Sequence, residues 1–164
     1  QTCALPILAS SCAAPAADSP AAKANADPLI ERGRYLVRIG SCNDCHTPGY
    51  LINAGKVPQE QWLTGDSFGW SGPWGTTYAI NLRLYMQDLT EAQWLEKARN
   101  MNARPPMPWF NVREMHNDDL RAIYRFTRQL GAAGKPAPAY LPPGTTPPMP
   151  YASFPAPPKP PAGK

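Results

Sequence analysis

Two cysteines three positions apart, followed at once by a histidine, make Cys42-Asn43-Asp44-Cys45-His46 the stretch of this chain with the most chemistry in it. At the end of a helix, residues i and i+3 lie on one side. Two thiols so placed can form thioether bonds to the two vinyl groups of one haem, and the next residue falls under the iron to supply an imidazole. The spacing therefore predicts a single covalent haem c, attached through Cys42 and Cys45 and ligated by His46. A thioredoxin-type dithiol also uses C-x-x-C, but it calls for a strand before the pair and a helix after it, the reverse of what flanks it here. Zinc would need two more ligands, and no second Cys or His pair lies downstream. A disulfide between Cys42 and Cys45 would leave His46 unexplained.

The position opposite His46 has six candidates, Met86, Met101, Met107, Met115, Met149 and His116. Its ligand must ride on backbone that approaches the haem edge closely. Met107 lies 61 residues after His46 in Arg104-Pro105-Pro106-Met107-Pro108, where three prolines stiffen an extended loop between two helices. A lone methionine is otherwise core filler, the reading given to Met101 and Met115 because each falls in or against a helix face. Met86 has only the context LYMQ, and His116 suits surface or capping duty at a helix start. Met149 repeats the PPMP pattern, but in a tail whose composition favours polyproline II over a packed core.

These side chains need elements to hold them. Asp27-Pro28 reads as the start of a helix reaching Gly40, with Leu29, Gly33, Leu36 and Val37 along one stripe. Gly33 in mid-helix costs stability, which predicts another element packed close against it. Residues 47–89 fit no helix or strand period, so a long wrapping loop is expected, with a short helix near Gln59 to Leu63 and an aromatic wall of Trp62, Phe68, Trp70, Trp74 and Tyr78. Thr90-Glu91-Ala92-Gln93 is a capping box that opens a helix to about Met101. A last helix begins near His116 to Asn117, carries Leu120, Ile123, Tyr124, Thr127 and Leu130 on one face, and stops at Gly131.

The 164 residues hold 22 prolines, twelve of them after residue 135, so one modest domain is expected with a tail, in which Tyr140, Tyr151 and Phe154 are candidates to pin it down. Residues 1–16 read as the remnant of an export signal and 17–27 as a linker. The domain covers 28–131 and the Pro-rich tail 132–164. Ala9-Ser10-Ser11-Cys12 offers a lipoprotein cleavage box and Ala14-Pro15-Ala16 an ordinary signal-peptidase site. Either reading predicts a periplasmic protein, soluble or tied to the membrane by a lipid on Cys12. Cys3 and Cys12 belong to that region and not to the site. The 16 Lys and Arg against 12 Asp and Glu form no basic stripe, which argues against nucleic acid and allows steering toward an acidic protein partner.

Taken together, GRYLV, CNDCH, the long loop, TEAQWLEKAR, MPW and DDLRAIYRFTRQL resemble the class I cytochrome c family over residues 28–131. The likeness is greatest to small monohaem periplasmic or lipid-anchored members and to the cytochrome subunits of bacterial dehydrogenases. The resemblance implies an all-α fold, three to four main helices wrapped around one haem, with the first and last helices crossing through Gly33 against Ile123 and Phe126. It also implies a haem-propionate contact for Asn81, although Arg83 stands where the family has Thr, and a haem-edge contact for Trp109. The function implied is electron transfer by a His46/Met107 haem between redox partners such as a dehydrogenase, an oxidase or a membrane complex, with no enzymatic step of its own. Two rivals remain open: a five-coordinate haem that binds a gas or peroxide, and a thiol-disulfide oxidoreductase using Cys42 and Cys45.

Overall fold

The computed structural model describes residues 27–156. The signal and lipid readings at residues 1–16, nearly all of the linker and residues 157–164 of the tail lie outside them.

Helix α1 (Pro28–Ile39) starts where the Asp27 carboxylate accepts from the Leu29 N–H at 2.9 Å, and it ends at Gly40. Next come α2 (Cys42–His46), a 3-10 turn (Gln59–Gln61), strands β1 (Gly69–Gly72) and β2 (Gly75–Tyr78), and α3 (Leu82–Gln87). Helices α4 (Glu91–Arg99), α5 (Trp109–Glu114) and α6 (Asn117–Gln129) follow, and strand β3 (Tyr151–Ser153) closes the order. The capping box is formed: Thr90 Oγ1 accepts from the Gln93 N–H, and Gln93 Oε1 accepts from the Thr90 N–H.

Helices α1 and α6 form the centre of the core. A Cβ on Gly33 would stand 2.0 Å from the Ala122 carbonyl oxygen and 2.7 Å from the Phe126 Cβ, so only hydrogen fits between these helices. Val37, Leu120, Ala122 and Phe126 are buried there, joined by Leu63, Met86 and Ala98. The Trp94 indole N–H donates to the Leu120 carbonyl at 2.8 Å, which fixes α4 on α6. Met101 and Met115 are half-buried against this cluster. Gly33→Ala is expected to lower stability by about 2 kcal/mol or more, because backbone must move to admit the methyl group. A urea midpoint indistinguishable from wild type would show that the contact is looser than described.

The expectation of an all-α chain with a cytochrome c-like arrangement of three to four helices is overturned. Six helices and a three-stranded mixed sheet are present among the described residues, in the order β2-β1-β3. Strands β1 and β2 are antiparallel, with Gly69 opposite Tyr78 and Gly72 opposite Gly75, so that Pro73 and Trp74 form the turn. Pro favours the first central position of such a turn, and Thr76, Thr77 and Tyr78 suit a strand. Strand β3 lies parallel to β1, with Gly69 opposite Tyr151 and Ser71 opposite Ser153. The expected polyproline tail thus contributes a strand where the four non-proline residues 151–154 permit one.

Two short helices also stand outside the expected set. The Asn81 side chain accepts from the Leu84 N–H at 3.0 Å and caps α3 inside the supposed loop. Helix α5 opens directly after Pro108, where the Trp109 N–H bonds to the Met107 carbonyl at 2.9 Å. Six-residue helices are below the length at which sequence alone sustains them, so packing decides them.

Candidate functional site

Cys42, Cys45 and His46 share the five residues of α2, which places the two thiols one turn apart. Neither is in a disulfide among the described residues. The turn before them is made by Ser41, whose φ of 57° lets the chain leave α1 and start again at once. Asn43 and Thr47 are buried beneath α2. Thr47 Oγ1 donates to Asn43 Oδ1 at 2.7 Å and accepts from the Leu63 N–H at 2.9 Å, tying the motif to the segment that follows the 3-10 turn.

Two segments, one at Gly65 and one at Ile80, clamp His46. Its backbone carbonyl accepts from the Gly65 N–H at 2.9 Å, and its ring Nδ1 lies 2.7 Å from the Ile80 carbonyl. A carbonyl only accepts, so Nδ1 carries the hydrogen and Nε2 keeps its lone pair. Gly65, at φ +77°, fits where a Cβ would lie 2.7 Å from the Asn81 nitrogen, which brings 65 and 79–81 together around the imidazole. His46 is only 7% exposed, and burial lowers its pKa despite the opposing bond to Ile80, so the ring is neutral at pH 7. A neutral ring with one oriented free nitrogen is what iron requires of an axial histidine.

Both thiols are held toward the protonated form. Burial pushes Cys42 up to about 11 and raises Cys45 as well, the latter with help from Asp44 and Asp66. Exchange chemistry needs the opposite shift, toward thiolate. Beside Cys45 a cleft of about 190 Å³ is walled by Tyr50, Leu51, Phe68 and Trp70. A larger depression of about 270 Å³ on α4, lined by Gln93, Glu96, Lys97 and Asn100, is polar and offers no comparable chemistry. No group of three His, Cys, Asp or Glu among the described residues could hold a metal ion by itself, so zinc finds no cage.

Met107 is half-buried on the loop between α4 and α5, and no hydrogen bond links that loop to α2 directly. The connection runs through β2. Thr77 Oγ1 donates to the Pro105 carbonyl at 2.8 Å, and three residues later Ile80 holds His46. Three Cα–Cα steps span at most about 11 Å, so one short segment touches both the Met107 loop and the imidazole. Two unpaired thiols and one oriented neutral imidazole on α2 are donors that would suit a covalently held haem, with the Met107 thioether on a separate loop tied to the same β2 segment. Two buried donors, Asn43 Nδ2 and Trp74 Nε1, lack an acceptor within the described chain.

Of the other expected residues, Asn81 adjoins Ile80 beside the imidazole. Asn81 is buried, and its amide donates to the Ala133 carbonyl at 2.7 Å and the Lys135 carbonyl at 3.1 Å, so neither N–H is free for a propionate. Trp109 begins α5, its ring edge-on to Phe110 at 5.8 Å with the Arg113 guanidinium 5.2 Å above it. His116 is exposed at the start of α6 and makes no capping bond. Met86 is core, and Met149 is 77% exposed. The aromatic wall divides. Trp62 packs on Phe126 at 6.2 Å in the helical core, whereas Phe68 and Trp70 pair at 5.2 Å near the hairpin.

Arg83, the second residue of α3 and buried, plays a structural role in this region that the sequence did not announce. It donates to the carbonyls of Glu60 at 2.6 Å, Gly131 at 2.6 Å and Leu130. The sequence signal available was an arginine at a position where the resemblance led to Thr being expected. No family model, curated protein or solved structure matches the chain. No helix among the described residues is long and apolar enough to cross a membrane.

Proposed function

We propose that this chain carries one haem c on Cys42 and Cys45, with His46 and Met107 as axial ligands, and passes single electrons between redox proteins. The observation that supports this best is the His46 Nδ1–Ile80 bond beside two unpaired thiols, since it presents Nε2 and nothing else for ligation. The bound haem would supply reversible one-electron chemistry at iron. Within that reading, α2 attaches, the 63–66 and 79–81 segments orient the imidazole, and the proline-braced loop offers the thioether. A thioether opposite an imidazole raises the reduction potential, as does apolar lining. Filling both axial positions leaves no site for substrate, so the chain acts as a carrier or as the electron-transfer subunit of a larger oxidoreductase. Partners are redox proteins met in the periplasm, and the lipid on Cys12 belongs to the same proposal.

The decisive comparison is between optical spectra of the mature wild type and Met107→Ala. A weak near-infrared sulfur-to-iron band is expected in the oxidised wild type and is expected to vanish completely in the variant. Its persistence in M107A would assign the sixth position to another residue. Its absence from a haem-containing wild type would favour the five-coordinate reading.

A further inference from the structure

Residues 140–154 do more than trail from the domain. Leu141 and Thr76 exchange both backbone bonds, at 2.8 and 3.0 Å, on the free edge of β2. The chain then passes round to the other edge, where β3 lies along β1 and the Phe154 N–H bonds to the Ser71 carbonyl at 2.7 Å. The Phe154 ring rests against Trp74 at 5.6 Å and Trp70 at 6.1 Å. The hairpin is thus gripped along both edges by one segment.

The same segment reaches the loop of Met107. The Tyr140 hydroxyl donates to the Trp74 carbonyl at 2.9 Å, and the Arg104 guanidinium lies 3.9 Å above the Tyr140 ring. Among the described residues, positions 102–106 make one hydrogen bond to the rest of the molecule, Pro105 to Thr77. Prolines at 105, 106 and 108 have no N–H with which to make more. The loop makes one hydrogen bond to β2 and one cation–π contact to the 140–154 segment, and these two contacts tie it to the hairpin from outside.

We propose that the 140–154 segment is a strap that positions the Met107 loop, with Tyr140 and Arg104 as the positioning pair and Thr77 as the second point of attachment. This rests on the reading of Met107 as a ligand. A ligand loop held at two points stays over the iron, whereas one held at Thr77 alone swings away more often and yields the position to a competing base.

The test uses full-length haem-loaded protein, Tyr140→Ala, Arg104→Gln and the double variant, titrated with imidazole, which competes for the sixth position. Each single variant should bind imidazole about fivefold to tenfold more tightly than wild type, the range of one cation–π contact. The double variant should add little, since both changes remove the same contact. The urea midpoint should stay at the wild-type value, because the pair lies outside the helical core. In the haem-free chain, the amides of Thr76 and Leu141 should exchange with solvent faster in Y140A than in wild type. A sulfur-to-iron band with unchanged imidazole affinity in both single variants would overturn the strap alone. Equal imidazole affinity in wild type and M107A would remove the ligand reading and the strap's purpose with it.

Discussion

Replacing Cys42 and Cys45 together by alanine is expected to leave no haem bound to the chain after acid–acetone extraction, while the wild type keeps all of it. The expectation follows from geometry: both sulfurs sit on the five residues of α2, adjacent to the imidazole, and no disulfide removes them. It follows as well from acidity. With the Cys42 thiol at about 11, about one molecule in ten thousand carries a thiolate there at pH 7, too few for rapid disulfide exchange. Alkylation of the haem-free protein should accordingly be slow at neutral pH and accelerate as pH rises toward that value. Haem surviving extraction from the double variant would sink the attachment through α2. Fast alkylation at pH 7 would revive the oxidoreductase reading.

Arg83→Leu is expected to cost about 3–5 kcal/mol, read as a lower urea midpoint of the haem-free chain. The guanidinium serves three carbonyls that have come from two distant places, Glu60 before the hairpin and Leu130 with Gly131 at the end of α6. Leucine fills similar space but leaves those oxygens without a donor. It also removes a cation from the negative end of α6. Arg83→Lys should fall between the two, since one ammonium on a flexible stem cannot match a planar fork with fixed spacing. A loss below about 1 kcal/mol for the leucine variant would mean that water satisfies the carbonyls instead.

The elements that were legible announce themselves locally. Asp27-Pro28, the Thr90 capping box and Gly131 each mark a helix end within a few residues, and α1, α4 and α6 lie where those signals predict. Gly33 was legible for another reason: a glycine that weakens a helix asks for a partner, and Ala122 with Phe126 supply it. The hairpin was hidden because Gly69, Gly72 and Gly75 dilute the strand signal of Trp70 and Thr76 to Tyr78, leaving no alternation to count. Strand β3 was hidden by the prolines around it, and its partner lies far back in the chain. Asn81 was read only as a ligand contact, and its capping of α3 came with the fold, because no helix was expected inside the 47–89 loop at that point. Arg83 was visible as an oddity, but its partners are 23 to 48 residues away and no local pattern names them. At the candidate site, the juxtaposition of Cys42, Cys45 and His46 was readable because they lie within five consecutive residues, whereas the Ile80 contact to His46 depends on how residues 63–81 return.

The two-sided grip on the hairpin bears on solubility. A two-stranded ribbon presents unpaired N–H and C=O groups along both outer edges, and such edges recruit strands from neighbouring molecules. Here the chain occupies them itself, at Leu141 on one side and at Tyr151–Ser153 on the other. A chain shortened before Tyr140 would uncover both edges at once, together with Trp70 and Trp74, and would be drawn toward self-association whatever its haem content.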